Sequence, residues 1–117
     1  MRIFFKTKRL QKICSQQGEA IKLLGAKRAG KLMQRMMELQ AARTLADISH
    51  LPPARCHALT GNRSGQLSVD LEHPYRLLFI PAHDPVPTRA DGGLDWRLVT
   101  EIEILEIVDT HCGRRER

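Results

Sequence analysis

Apolar residues recur at a helical interval through the first third of the chain and at every second position through much of the rest. The opening Arg2-Ile3-Phe4-Phe5 is too short for a helix and reads as a strand over residues 1–5. From Lys6, the residues Leu10, Ile13 and Cys14 share one helical side until Gly18 interrupts. A longer helix is expected from about Glu19 to Ala42, with Ile21, Leu24, Leu32, Met36 and Leu39 tracing its apolar face. The two helices would form a hairpin turning near Gly18, with Gly25 and Gly30 weakening the second. Met33, Met36 and Met37 at helical spacing are expected to pack in the core. Thr44 is placed to cap one further turn before Pro52-Pro53.

Beyond these prolines the period changes to two. Strands are expected at about 56–60, 66–73, 75–81 and 101–109. In the second of them Leu67, Val69 and Leu71 alternate with Gln66, Ser68, Asp70 and Glu72. The Gly61–Gly65 turn makes the first two a hairpin, and His73-Pro74 forms a corner into the third. Residues 81–99, rich in Pro and Gly, read as a long loop with one helical turn near Trp96, and loops of this length are often functional. The run Ile104 to Val108 is apolar on both faces, which predicts a central strand. A strand, a helical hairpin and a mostly antiparallel sheet of four to five strands make an α+β sandwich with helices on one face. One domain is expected over 1–111, followed by a basic tail at 112–117.

Composition narrows this picture. Aromatic residues are only 4%, so the core must be built mainly from Leu, Ile, Val and Met. No apolar run reaches membrane-spanning length, and the triplet Ile3 to Phe5 is too short for a signal peptide, so a cytoplasmic protein without a membrane partner is expected. Cys14, Cys56 and Cys112 are widely spaced and odd in number, which argues against a disulfide framework and against a zinc site. No metal or cofactor is expected. Charge is unevenly spread: residues 1–43 carry 11 Lys and Arg against Glu19 and Glu38, while 44–111 carry 5 basic and 10 acidic side chains. Lys27, Lys31 and Arg35, four apart, would stack as a cationic stripe beside the apolar face. Such a field suits either a polyanion or an acidic partner.

Candidate chemistry lies in the second half. Asp109 and His111 fall on one side of an extended chain, and Arg76 faces away from Tyr75, Leu77 and Phe79. If these strands neighbour the His57 strand, His57, Arg76, Asp109 and His111 converge, with Arg63 at the adjoining turn. Two histidines, a carboxylate and two arginines suit metal-free RNA cleavage by the substrate's own 2′-hydroxyl. A base takes the 2′ proton, an acid protonates the leaving 5′ oxygen, and a guanidinium neutralises the phosphate. Arg76 paired with Glu72 or Asp70 across a turn is the plain structural alternative.

The segment "LPPARCHALTGNRSGQLSVDLEHPYRLLFIP", with "EIEILEIVDTH" further on, resembles the HigB branch of the RelE/ParE toxin superfamily. That resemblance implies a RelE-like fold and the toxin of a type II toxin–antitoxin pair. It implies an mRNA interferase, a ribosome-dependent endoribonuclease that enters the ribosomal A site, cuts mRNA and so inhibits translation. A HigA-like antitoxin would hold it inactive. By motif position His57 and His111 would be the acid–base pair, Asp109 would assist them, and Arg76 would stabilise the phosphate. Arg63 would bind RNA backbone, and the basic helices carrying Lys27, Lys31 and Arg35 would face ribosomal RNA. The chain departs from the pattern at Thr60, where the family has lysine, at Leu67, where it has an aromatic residue, and at Thr110, where it has tyrosine. A ParE-like gyrase inhibitor or a degenerate toxin that only binds its antitoxin is the rival reading.

Overall fold

In the computed structural model, which describes residues 1–109 and the backbone of 114–116, the helical region is three helices rather than two. After the strand β1 (Arg2–Phe5) come α1 (Lys8–Ser15), α2 (Gln17–Leu24) and α3 (Ala26–Ala41). Thr7 starts α1, its hydroxyl accepting the Leu10 N–H at 3.1 Å. The chain turns at Gln16 and again at Gly25, whereas Gly18 lies inside α2. Gly25 has φ +85° and ψ 162°, a conformation that side chains with a Cβ avoid. The break changes the helical phase, so Ile21 leaves the expected apolar face and is 40% exposed, while Leu24, Leu32, Met36 and Leu39 are buried. Of the methionines, Met36 is buried and Met33 packs against the core, whereas Met37 is exposed.

Thr44 and Asp47 bracket a short 3₁₀ turn, Leu45–Asp47, as a capping box. The strands follow: β2 (His57–Ala58), β3 (Leu67–Asp70), β4 (Tyr75–Pro81), β5 (Glu101–Asp109) and β6 (Arg114–Glu116). Their order is β1-β5-β4-β3-β2, with β1 parallel to β5 and the other neighbours antiparallel; β6 also pairs with β5. β5 is therefore central, as its apolar run predicts. Residues 114–116, expected as tail, form a strand, while Thr110, His111, Cys112, Gly113 and Arg117 lie outside the described residues.

One irregularity decides which side chains share a face. Leu78 pairs with Glu106 and Phe79 with Ile104, so Leu105 is an extra residue in β5. Such a bulge shifts the alternation by one. Ile102, Ile104 and Ile107 consequently all face the helices, with Leu77 and Phe79 of β4 and Leu67 and Val69 of β3, and join the core cluster with Leu32, Met36 and Leu39. Each such side chain, removed from water, contributes about 1.5–3 kcal/mol. The other face carries Glu101, Glu103, Glu106 and Val108 from β5, Arg76 and Leu78 from β4, Ser68 and Asp70 from β3, and His57 from β2. Among the described residues no helix is long and apolar enough to cross a membrane.

Candidate functional site

The sheet face away from the helices brings together side chains from three strands and the segment before β2. His57 pairs across the sheet with Ser68, and Asp70 pairs with Arg76, so strand register alone sets His57, Asp70 and Arg76 side by side. Arg55, two residues before His57, has φ +44°, an unusual left-handed conformation for a residue with a side chain. Its backbone is held by neighbours: the Arg55 N–H donates to the Leu51 carbonyl at 3.0 Å, and the Asp70 N–H donates to the Ala54 carbonyl at 2.7 Å.

These groups close into a ring. Arg55 Nε donates to Asp70 Oδ2 at 2.5 Å, and Arg76 Nε lies 3.4 Å from Asp70 Oδ1. Arg76 Nη1 lies 3.4 Å from His57 Nε2, and His57 Nδ1 lies 2.9 Å from the Arg55 carbonyl oxygen. A guanidinium only donates and a carbonyl only accepts. The imidazole proton therefore sits on Nδ1, leaving Nε2 with its lone pair towards Arg76. Two guanidiniums share one carboxylate, so the ring carries a net positive charge. Chemically it offers a proton acceptor beside a cation on a partly exposed patch.

The turn residues contribute next to it. A 3₁₀ turn, Gly61–Arg63, starts after Thr60, which is exposed. Arg63 Nη1 reaches Glu106 Oε2 and Gln66 Oε1, both at 3.4 Å, so its charge is already met by a carboxylate.

Not every expected residue joins them. Tyr75 pairs with Asp109, and Arg76 pairs with Val108. Strict alternation from Glu101 and Glu103 puts Asp109 on the face of His57; the bulge at Leu105 puts its Cα on the Tyr75 side instead. There the Arg28 guanidinium lies 4.3 Å from the Tyr75 ring centre. His111 lies outside the described residues. The cationic stripe is also corrected, because steps of four residues drift by roughly 40° around a helix. Lys27 is at the surface, 3.1 Å from Glu72, Lys31 is half-buried, and Arg35 is 1% exposed. Arg35 is thus no surface contact: its Nε donates to the Asp70 carbonyl at 2.7 Å, and its Nη1 lies 3.3 Å from Glu38 Oε2.

The sequence offers Asp70 only as an ion-pair partner of Arg76, the plain structural alternative, and the structure does pair the two at 3.4 Å. Arg55 lies in the quoted segment but is given no role there, since its part depends on a left-handed backbone. Cys56, next to His57, is buried, and burial pushes its thiol up to about 12, as it does that of Cys14. Neither is a thiolate nucleophile at neutral pH. Ser68 is fully buried, and its hydroxyl finds no hydrogen-bond partner among the described residues. No group of three or more His, Cys, Asp or Glu among the described residues could hold a metal ion. Compared with known protein families and with curated proteins, the chain has no significant match.

Proposed function

We propose that this protein is a toxin of the type II class with a RelE-like fold, a ribosome-dependent endoribonuclease acting on mRNA without a metal. The observation that carries the reading is the 3.4 Å contact between His57 Nε2 and the Arg76 guanidinium. A scissile phosphate entering there would draw Arg76 onto its oxygens and release Nε2. His57 Nε2 would then take the 2′ proton while O2′ attacks phosphorus and the P–O5′ bond breaks. The products are a 2′,3′-cyclic phosphate and a 5′-hydroxyl. His111 is the candidate acid for the departing O5′. Asp70 holds Arg76, and Arg55 fixes the His57 tautomer through its carbonyl. Each acid–base group would contribute ~10²–10⁴-fold in rate. The expected partners are the ribosomal A site with its mRNA and a HigA-like antitoxin, in the cytoplasm.

A specific observation favours the rival reading, a RelE/ParE-fold binder without catalysis. Arg76 and Arg63 both already face carboxylates, Asp70 at 3.4 Å and Glu106 at 3.4 Å. Primer extension on mRNA from a bacterial translation reaction separates the two, run with and without ribosomes and with His57→Ala and His111→Ala. New 5′ ends that need ribosomes and both histidines support the nuclease. Toxicity that survives both substitutions, without new ends, establishes the binder.

A further inference from the structure

The long 81–99 segment is folded rather than slack. Thr88 and Leu94 form an isolated antiparallel bridge, and the Arg89 N–H donates to the Gly93 carbonyl at 2.7 Å. The Asp91 carboxylate accepts the Gly93 N–H at 2.9 Å; that bond, and the Arg89 charge, hold its pKa below the usual carboxylate range. At the base of the loop, His83 Nε2 accepts the N–H groups of Thr100 and Glu101 at 3.1 and 3.3 Å. A final 3₁₀ turn, Trp96–Leu98, is capped by Asp95, whose Oδ1 accepts the Arg97 N–H at 3.2 Å. These bonds present a cleft of about 470 Å³ lined by His50, Arg89, Asp95, Trp96 and Arg97. That volume is within the roughly 300–1,000 Å³ of small-ligand sites.

We propose that this cleft binds a nucleotide unit, its base against the His50–Trp96 rings and its phosphate between Arg89 and Arg97. The His50 and Trp96 rings meet edge to face, with centroids 4.9 Å apart and planes at 60°. An aromatic platform flanked by guanidiniums is the chemistry that holds single-stranded nucleic acid, because every base has a stacking face. Both arginines have acidic neighbours, Asp91 at 3.3 Å and Asp95 at 3.6 Å. The Arg89 and Arg97 side chains are 56% and 80% exposed, and such exposed pairs yield readily to a phosphate. The cleft is also tied to the ring on the sheet: His50 Nδ1 donates to the Cys56 carbonyl at 2.9 Å, directly before His57. As a second grip on an RNA strand the cleft rests on the ribonuclease reading; as a nucleotide site it does not.

Trp96 is the chain's 1 tryptophan, so tryptophan emission, excited beyond the absorption of Tyr75, reports this cleft alone. The full chain would be titrated with AMP, with a 2′-O-methyl adenosine hexamer that cannot be cut, and with tripolyphosphate. Saturable quenching by AMP and the hexamer is expected, at least tenfold weaker in Arg97→Ala and Arg89→Ala, with far-UV circular dichroism confirming folding. Tighter binding of the hexamer than of AMP identifies a strand site; equal affinity identifies a free-nucleotide site. Binding of tripolyphosphate as tight as AMP, indifference to both arginine variants, or no quenching at millimolar AMP overturns the proposal. Quenching that persists in a chain without cleavage activity sinks the nuclease reading and leaves the cleft assignment standing.

Discussion

Arg35 offers the most direct test of how the helix layer supports the face that carries His57. It is 1% exposed, and its guanidinium does two things: Nε satisfies the Asp70 carbonyl at 2.7 Å, and Nη1 pairs with Glu38 at 3.3 Å. Arg35→Met keeps the apolar stem and removes the head group. The Asp70 carbonyl then loses its charged donor, at about 1–3 kcal/mol. The i,i+3 pair with Glu38 adds only about 0.2–0.5 kcal/mol, because Glu38 can turn to water. Relief from burying a guanidinium offsets part of this. A net loss of about 1–2 kcal/mol is expected. Arg35→Ala also opens a cavity, and large-to-small core changes cost about 2–5 kcal/mol, so its loss should reach about 3–5 kcal/mol. Urea unfolding measures both: with m of about 2 kcal/mol/M, the Met variant's midpoint should fall by roughly 0.5–1 M at unchanged m. Amide exchange at Asp70, whose N–H donates to Ala54, should quicken more than exchange in α1. An Arg35→Met midpoint equal to or above the wild-type value refutes the argument, because the guanidinium would then only be a desolvation cost.

Gly30 and Gly25 should respond oppositely to alanine in thermal melts. Gly30 lies inside α3 with nothing within 4 Å of an added Cβ, so Gly30→Ala should stabilise by about 1 kcal/mol, whereas Gly25→Ala at φ +85° should cost about 1–3 kcal/mol. Shifts of the same sign would contradict the helix break. Asp70→Asn removes the charge that holds Arg55 and Arg76, and ribosome-dependent cleavage should fall by ~10²-fold, the usual penalty for a misplaced group. Asp70→Glu should recover part of it; full activity in Asp70→Asn would leave the ring without a catalytic part. The thiols of Cys14 and Cys56, raised by burial from 9.0 to about 12, should resist disulfide reagents at neutral pH until urea unfolds the chain, as mass mapping would show. These groups keep their proton in the folded state while the unfolded state loses it. Their stabilising effect is full below pH 9 and declines as pH rises towards 12. A stability rising over that window would contradict the sign.

Elements with a strong local signal were legible from the sequence. The alternation of Leu67, Val69 and Leu71 and the apolar run at 104–108 announce strands, and β3, β4 and β5 lie within the expected spans. Turn chemistry did the same for the 3₁₀ turn that Thr44 caps, because a hydroxyl and a carboxylate three residues apart act only on their own backbone. The α+β class followed from the change of period at Pro52-Pro53. His57 and Arg76 were singled out from spacing and resemblance, and cross-strand register was needed to bring them within 3.4 Å.

Other features depend on contacts between distant segments. Gly18 and Gly25 look alike as helix breakers, and packing of α2 against α3 decided that Gly25 takes the left-handed turn. The cations at 27, 31 and 35 look equivalent along the chain, yet the slow rotation of a four-residue step carries Arg35 into the interior. The bulge at Leu105 has no pattern of its own; it exists because Ile104 and Ile107 must both reach the helix side while Glu103 and Glu106 stay out. That single extra residue moves Asp109 from the face of His57 to the face of Tyr75. Periodicity specifies which residues are able to share a face, and the pairing of strands far apart in sequence decides which of them do.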